Sequence, residues 1–70
     1  MIKEKVGKNL KESRTQNKLT QKEISAKLKV NQSLYQKYEY GKIEMDYEKI
    51  VAVCQILEIT PNYLFGFEEV

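Results

Sequence analysis

Seventy residues carrying a net charge of +2 form one small domain whose core can hold only a few side chains. One cysteine and no histidine exclude an intramolecular disulfide and every zinc site built on Cys or His, and 41% apolar with 31% charged residues is a globular rather than a disordered composition. No apolar run approaches the roughly 18 residues of a spanning helix, and the opening MIKEKVGKN lacks the apolar centre of a signal peptide, so a cytoplasmic protein with no membrane partner is expected.

Along the chain, Ile2, Val6 and Leu10 recur every four residues and predict a first amphipathic helix over about 2–17, slightly weakened by Gly7. Thr20 followed by Glu23 is a capping box that starts a second helix over 21–28, with Ile24 and Leu28 facing inward. Asn31 is a suitable N-cap and Gly41 a suitable terminator for a third helix over 32–40. Asp46 can cap a fourth over 47–58, where Tyr47, Ile50, Val53, Cys54 and Leu57 have the spacing of a buried stripe. Thr60 and Pro61 open a short fifth helix over 61–65, which Gly66 can close. No segment alternates apolar and polar residues for long, so residues 1–70 are expected to be a single all-α, five-helix domain.

Charge is unevenly spread. Every lysine but Lys49 precedes residue 43, whereas Glu44, Asp46, Glu48, Glu58, Glu68 and Glu69 follow it, so a basic front and an acidic back are expected. Nothing suggests catalysis: Cys54 has no His to activate it, no Gly-rich phosphate loop is present, and the serines lack a neighbouring base. A non-enzyme without cofactor or metal is expected.

Helices two and three are separated by only a few residues, the arrangement of a helix-turn-helix. Placing the third helix at about 100° per residue puts Asn31, Leu34, Tyr35 and Tyr38 on the buried side and Gln32, Ser33, Gln36, Lys37 and Tyr40 on the other. Such a face can be merely a solvated surface. It can also read a major groove, where Gln pairs with adenine N6 and N7 and Lys approaches guanine O6 and N7. Gln21 at the start of helix two can meet a phosphate with its side chain and nearby backbone N–H groups, and Lys22, Tyr40 and Lys42 border the same groove. Tyr35, Tyr38, Tyr47 and Phe65 lie at core spacing rather than forming a base-stacking platform, and Cys54 reads as a small buried hydrophobe.

The run LTQKEISAKLKVNQSLYQKYEYGK, Leu19 to Lys42, resembles the XRE-type helix-turn-helix of the lambda repressor and Cro superfamily, and the likeness extends from about Val6 to the YLFG of Tyr63 to Gly66. The L-T-Q-x-E opening, the Tyr38-Glu39-Tyr40-Gly41-Lys42 close and the later T-P-x-Y-L-F-G are specific in combination. The resemblance implies a five-helix lambda repressor-like domain in which Gln21 binds phosphate and Asn31, Gln32, Ser33, Gln36 and Lys37 fall where the family reads bases. It also implies a partly buried salt bridge between Arg14 and Glu39. Two departures stand out. Lys29 replaces a turn glycine, which should strain or alter the turn by about 1 kcal/mol. Met45 replaces a proline before helix four, which should loosen that loop.

One such module contacts few base pairs, so a homodimer on a two-fold symmetric duplex is expected, with Ile59, Asn62, Tyr63, Phe67 and Val70 as candidate interface. The function expected is that of a sequence-specific double-stranded DNA-binding transcriptional regulator, most simply a small repressor. The alternative is a protein-interaction module, such as an antitoxin or an antagonist of another regulator.

Overall fold

The computed structural model describes residues 1–67, so Val70 of the candidate dimer surface lies outside the described residues. Five helices follow one another: α1 Ile2–Gln16, α2 Gln21–Leu28, α3 Gln32–Glu39, α4 Tyr47–Leu57 and α5 Pro61–Phe65. Four begin with a side-chain cap. Thr20, Asn31, Asp46 and Thr60 each accept from the backbone N–H three residues on, and Glu23 completes the capping box by accepting from the Thr20 N–H at 2.8 Å. Each cap satisfies an N–H that the helix itself cannot, so these four starts are encoded locally.

Helix α1 is the spine, packed against both α3 and α5, while α2 bridges α3 and α4, and α4 meets α5. Leu10, Ile24, Tyr35, Val53 and Leu64 are fully buried at the centre, with Leu28, Tyr38, Met45, Cys54 and Leu57 around them. The Tyr35 and Tyr38 rings meet edge to face at 6.3 Å, an arrangement their quadrupoles favour. Two asparagines of α1 then tie the distal helices to the spine. Asn9 donates to the Tyr63 and Leu64 carbonyls at the end of α5, and Asn17 to the Leu57 carbonyl at the end of α4. The Leu64 and Leu57 carbonyls are of the kind that a helix terminus leaves without an intrahelical partner, whereas that of Tyr63 also takes the Gly66 N–H at 3.0 Å.

Gly7 has a reason beyond local propensity. It is buried where α1 crosses the end of α3, and a Cβ there would lie 2.7 Å from the Tyr38 carbonyl oxygen and closer still to that of Glu39. The glycine therefore sets how closely the two helices approach.

Two expectations are corrected. Tyr47 is 87% exposed rather than part of the buried stripe. As the first residue of α4 it projects past the helices that cover the rest of the stripe, and it borders a groove of about 190 Å³ shared with Ile2, Val6, Ile43 and Ile50. Asn31 is exposed rather than buried, because a cap residue has extended backbone (φ −76°, ψ 158°) and does not follow the 100° spacing of the helix behind it. Met45, where the family has proline, is buried in the core immediately before the Asp46 cap. Lys29 takes the left-handed conformation (φ 61°, ψ 39°), the strained backbone expected where a lysine replaces glycine.

Candidate nucleic-acid interface

The turn Lys29, Val30, Asn31 sets α3 across the end of α2. Val30 donates its N–H to the Ser25 carbonyl and Lys29 to that of Ala26, which closes α2, and Asn31 opens α3 by accepting from the Leu34 N–H at 2.7 Å. With one lone pair of its oxygen taken by the cap, Asn31 keeps its amide N–H groups and the second lone pair for another partner. On α3, Gln32, Ser33 and Lys37 are exposed and lie along one side, while Tyr35, Tyr38 and Glu39 are buried behind them.

The inner side of α3 is fastened by a polar network around Glu39. Its buried carboxylate accepts from Arg14 Nε at 2.5 Å and Arg14 Nη2 at 3.3 Å, and from the Tyr35 hydroxyl at 2.5 Å. Gln21 Nε2 adds a fourth bond at 3.0 Å. Arg14 also donates to the Leu19 carbonyl at 2.8 Å, so α1, the α1–α2 connection, α2 and α3 are all joined at this point. Burial alone pushes the Glu39 carboxyl up, but the hydrogen bonds from Arg14, Tyr35 and Gln21 outweigh it and hold the group below its ordinary value. The bond to Glu39 raises Arg14, and burial raises the Tyr35 phenol, with the bond to Glu39 adding to it. No buried side-chain nitrogen or oxygen among the described residues lacks a partner, as a stable polar core requires.

Gln21 opens α2 as expected, whereas Gln36 is placed differently from its sequence expectation. Gln36 was expected on the outer face, yet it is half-buried and donates from Nε2 to Gln21 Oε1 at 3.1 Å. The helical wheel assigns a direction on α3 alone; it is silent about α2, whose first residue lies across from position 36. Gln21 is itself half-buried, with both ends of its amide engaged by Glu39 and Gln36. A Gln at the first turn of α2 and another three residues before the ion-paired Glu39 was the signal available in the sequence.

At the borders of this face Lys22, Lys42 and Tyr40 are exposed. Tyr40 is 61% exposed at the end of α3, and the buried Gly41 follows with φ 71°, where a Cβ would lie 2.8 Å from the Glu4 Cα of α1. The Gln21 and Lys22 backbone N–H groups lie in the first turn of α2, ahead of any intrahelical acceptor. Among the candidate dimer residues, Ile59 and Tyr63 are half-buried, whereas Asn62 and Phe67 are exposed. Among the described residues no group of His, Cys, Asp and Glu could hold a metal ion, and no helix is long and apolar enough to cross a membrane.

A short helix bolted through its inner face and polar on its outer face is the layout of a helix-turn-helix module. Comparison with known proteins agrees. The family described as "Helix-turn-helix domain" matches residues 7–68. The chain is 39% identical over 60 residues to the uncharacterized HTH-type transcriptional regulator YqaE of Bacillus subtilis (strain 168), a match covering 86% of this chain and 52% of the relative. The chain therefore spans about half the length of that relative. The crystal structure of the clp gene regulator ClgR from Corynebacterium glutamicum superposes with a TM-score of 0.86 at 22% identity, over 91% of this chain and 68% of that one. This likeness speaks for the fold. The chain belongs to the helix-turn-helix domain family, in its XRE-type, lambda repressor-like form.

Proposed function

We propose that this protein is a sequence-specific DNA-binding transcriptional regulator that lays α3 in the major groove of duplex DNA. The observation that carries this reading is the division of α3: Tyr35, Tyr38 and Glu39 anchor it, and Gln32, Ser33 and Lys37 stand exposed on a helix that cannot easily tilt. A rigid mount is what base reading needs, because a bidentate contact tolerates little angular error. The relative's description as an HTH-type transcriptional regulator supports the same role.

In this reading Gln32, Ser33 and Lys37 contact base edges, with Asn31 and Gln36 at their flanks. Gln21, Lys22, Tyr40 and Lys42 hold the phosphates on either side, and the first-turn N–H groups of α2 favour an anion. Two copies related by a two-fold axis, meeting through Ile59, Asn62, Tyr63 and Phe67, place two α3 helices about one DNA turn apart. The protein then works in the cytoplasm as a repressor by occupancy, without catalysis.

Selection from randomised duplex DNA at near-physiological salt tests the reading. Two related half-sites about one turn apart are expected, and retention without enrichment of any sequence would defeat it. The Lys37→Ala variant should lose preference at one base pair by roughly 5- to 150-fold, the equivalent of about 1–3 kcal/mol, while binding to unrelated DNA changes little. A uniform loss across sequences would instead make Lys37 a phosphate contact.

A further inference from the structure

Three of the large apolar side chains that the fold leaves exposed gather where the first turns of α1 and α4 flank one groove. Ile2 is 68% exposed, Tyr47 87% and Val51 54%. Tyr47 links them: on one side it borders the groove lined by Ile2, Ile43, Ile50 and Phe65, and on the other a shallow surface formed with Val51 and Ala52. Single exposed apolar residues are ordinary, but a contiguous group around a groove marks an interaction site. The groove holds about 190 Å³, below the roughly 300–1,000 Å³ of small-molecule sites and on the scale of one large side chain. Its rim carries both signs of charge, Lys3 from α1 and Glu44 from the connection before α4, and neither is ion-paired among the described residues.

We propose that this groove is a self-association surface, filled by Tyr47 of a second copy of this chain. A projecting aromatic beside a hole of side-chain size, with a cation and an anion on the same rim, is complementary to itself. Turned about a two-fold axis, each Tyr47 enters the other copy's groove, and Lys3 of each copy faces Glu44 of the other. A rim of mixed sign suits neither a nucleic acid nor a partner of a single charge. The contact uses none of Ile59, Asn62, Tyr63 and Phe67, so it adds a second two-fold axis to the pairing already proposed. A consequence that rests on the DNA-binding reading is that dimers at neighbouring sites are linked and bind cooperatively; the groove contact itself requires no DNA.

Sedimentation equilibrium of the free protein from micromolar to millimolar concentration tests it, with the fold of each variant checked by circular dichroism. Tyr47→Lys should weaken a self-association step of wild type at least about tenfold, whereas Phe67→Lys leaves that step in place. Lys3→Glu and Glu44→Lys should each weaken it several-fold, because like charges then face each other at both contacts. An equimolar mixture of K3E and E44K should associate as wild type does, since the charges are then opposite at both contacts. Lys8→Glu, the same charge change at an exposed position of α1, should have no effect. Wild type that stays monomeric to millimolar concentration overturns the proposal and leaves the groove to a different protein. Association that Y47K leaves intact, that K8E weakens as much as K3E, or that the mixture fails to recover also overturns it. None of these results depends on whether α3 reads DNA, so the two proposals fail separately.

Discussion

Replacing Gly7 with alanine sets two effects of opposite sign against each other, and the structure decides between them. In the interior of α1 the substitution should stabilise the helix by about 0.8–1 kcal/mol, since glycine is the costlier residue there. The added Cβ, however, would sit 2.7 Å from the Tyr38 carbonyl oxygen and nearer to that of Glu39. Both are backbone atoms at the end of α3 and cannot rotate away as a side-chain tip can. Relief requires α3 to move outward from α1, which opens the contact at Tyr38 and lengthens the bonds from Arg14 to Glu39. Overpacking of this kind costs about 1–3 kcal/mol before the loss at the buried ion pair is counted. Steric cost should therefore win, with a net destabilisation of at least about 1 kcal/mol, or a fall in Tm of roughly 4–8 °C for a domain of this size. Thermal and urea melts followed by circular dichroism measure it, with Glu12→Ala, an exposed change on the same helix, as control. A G7A protein as stable as wild type or more so would refute the close approach of α1 and α3.

Arg14→Met leaves the Glu39 carboxylate buried with only Tyr35 and Gln21 as donors and should cost about 3–5 kcal/mol by urea denaturation, whereas R14M/Y35F/E39L, which removes the ion pair and the phenol together and leaves of the network only the half-buried Gln21, should recover most of that loss. Glu39, held below its ordinary value of 4.5 in the folded state, contributes stability that is present above pH 4.5 and lost as the pH falls through its native value; the urea midpoint should drop below pH 4.5 more steeply in wild type than in Glu39→Gln. Tyr35, raised above 10.0, acts at the other end: its contribution is complete below pH 10 and lost as the pH rises beyond it, so Tyr35→Phe should flatten the alkaline limb of the same titration. Lys29→Gly relieves a left-handed residue at φ 61° but frees the unfolded chain, and a net gain of about 0.5 kcal/mol by thermal melt is expected; a loss would show that the lysine side chain itself holds the turn.

The parts of this fold that are legible in the sequence are those whose cause lies within four residues. Thr20 with Glu23, Asn31, Asp46, and Thr60 with Pro61 announce helix starts because each cap bonds the backbone three positions on. Lys29 could be recognised as the turn residue, and the left-handed backbone it adopts is the one a replaced turn glycine implies. The short spacing between α2 and α3 then suffices for a helix-turn-helix. Gly7 is different. Read locally it is a weak point in a helix, and its actual cause is a pair of carbonyls more than thirty positions away.

Periodicity fails for a related reason. A helical wheel gives the direction in which a side chain leaves its own helix, and burial depends on what another helix has placed there. Tyr47 has the phase of the α4 stripe but stands at its open end, so the same phase that buries Val53 and Leu57 leaves it in solvent. Gln36 has an outward phase, yet α2 begins beside it and captures its amide. The candidate site is thus the least legible part of the molecule because it is built between elements. Gln21, Gln36 and Glu39 come from two helices, and their hydrogen bonds exist only at the angle that the Lys29 turn and the Gly7 contact impose. Moving either constraint should misalign the face proposed to read DNA without deleting a single residue from it, which makes the angle between α1 and α3 as much a determinant of the proposed binding as the side chains on α3 themselves.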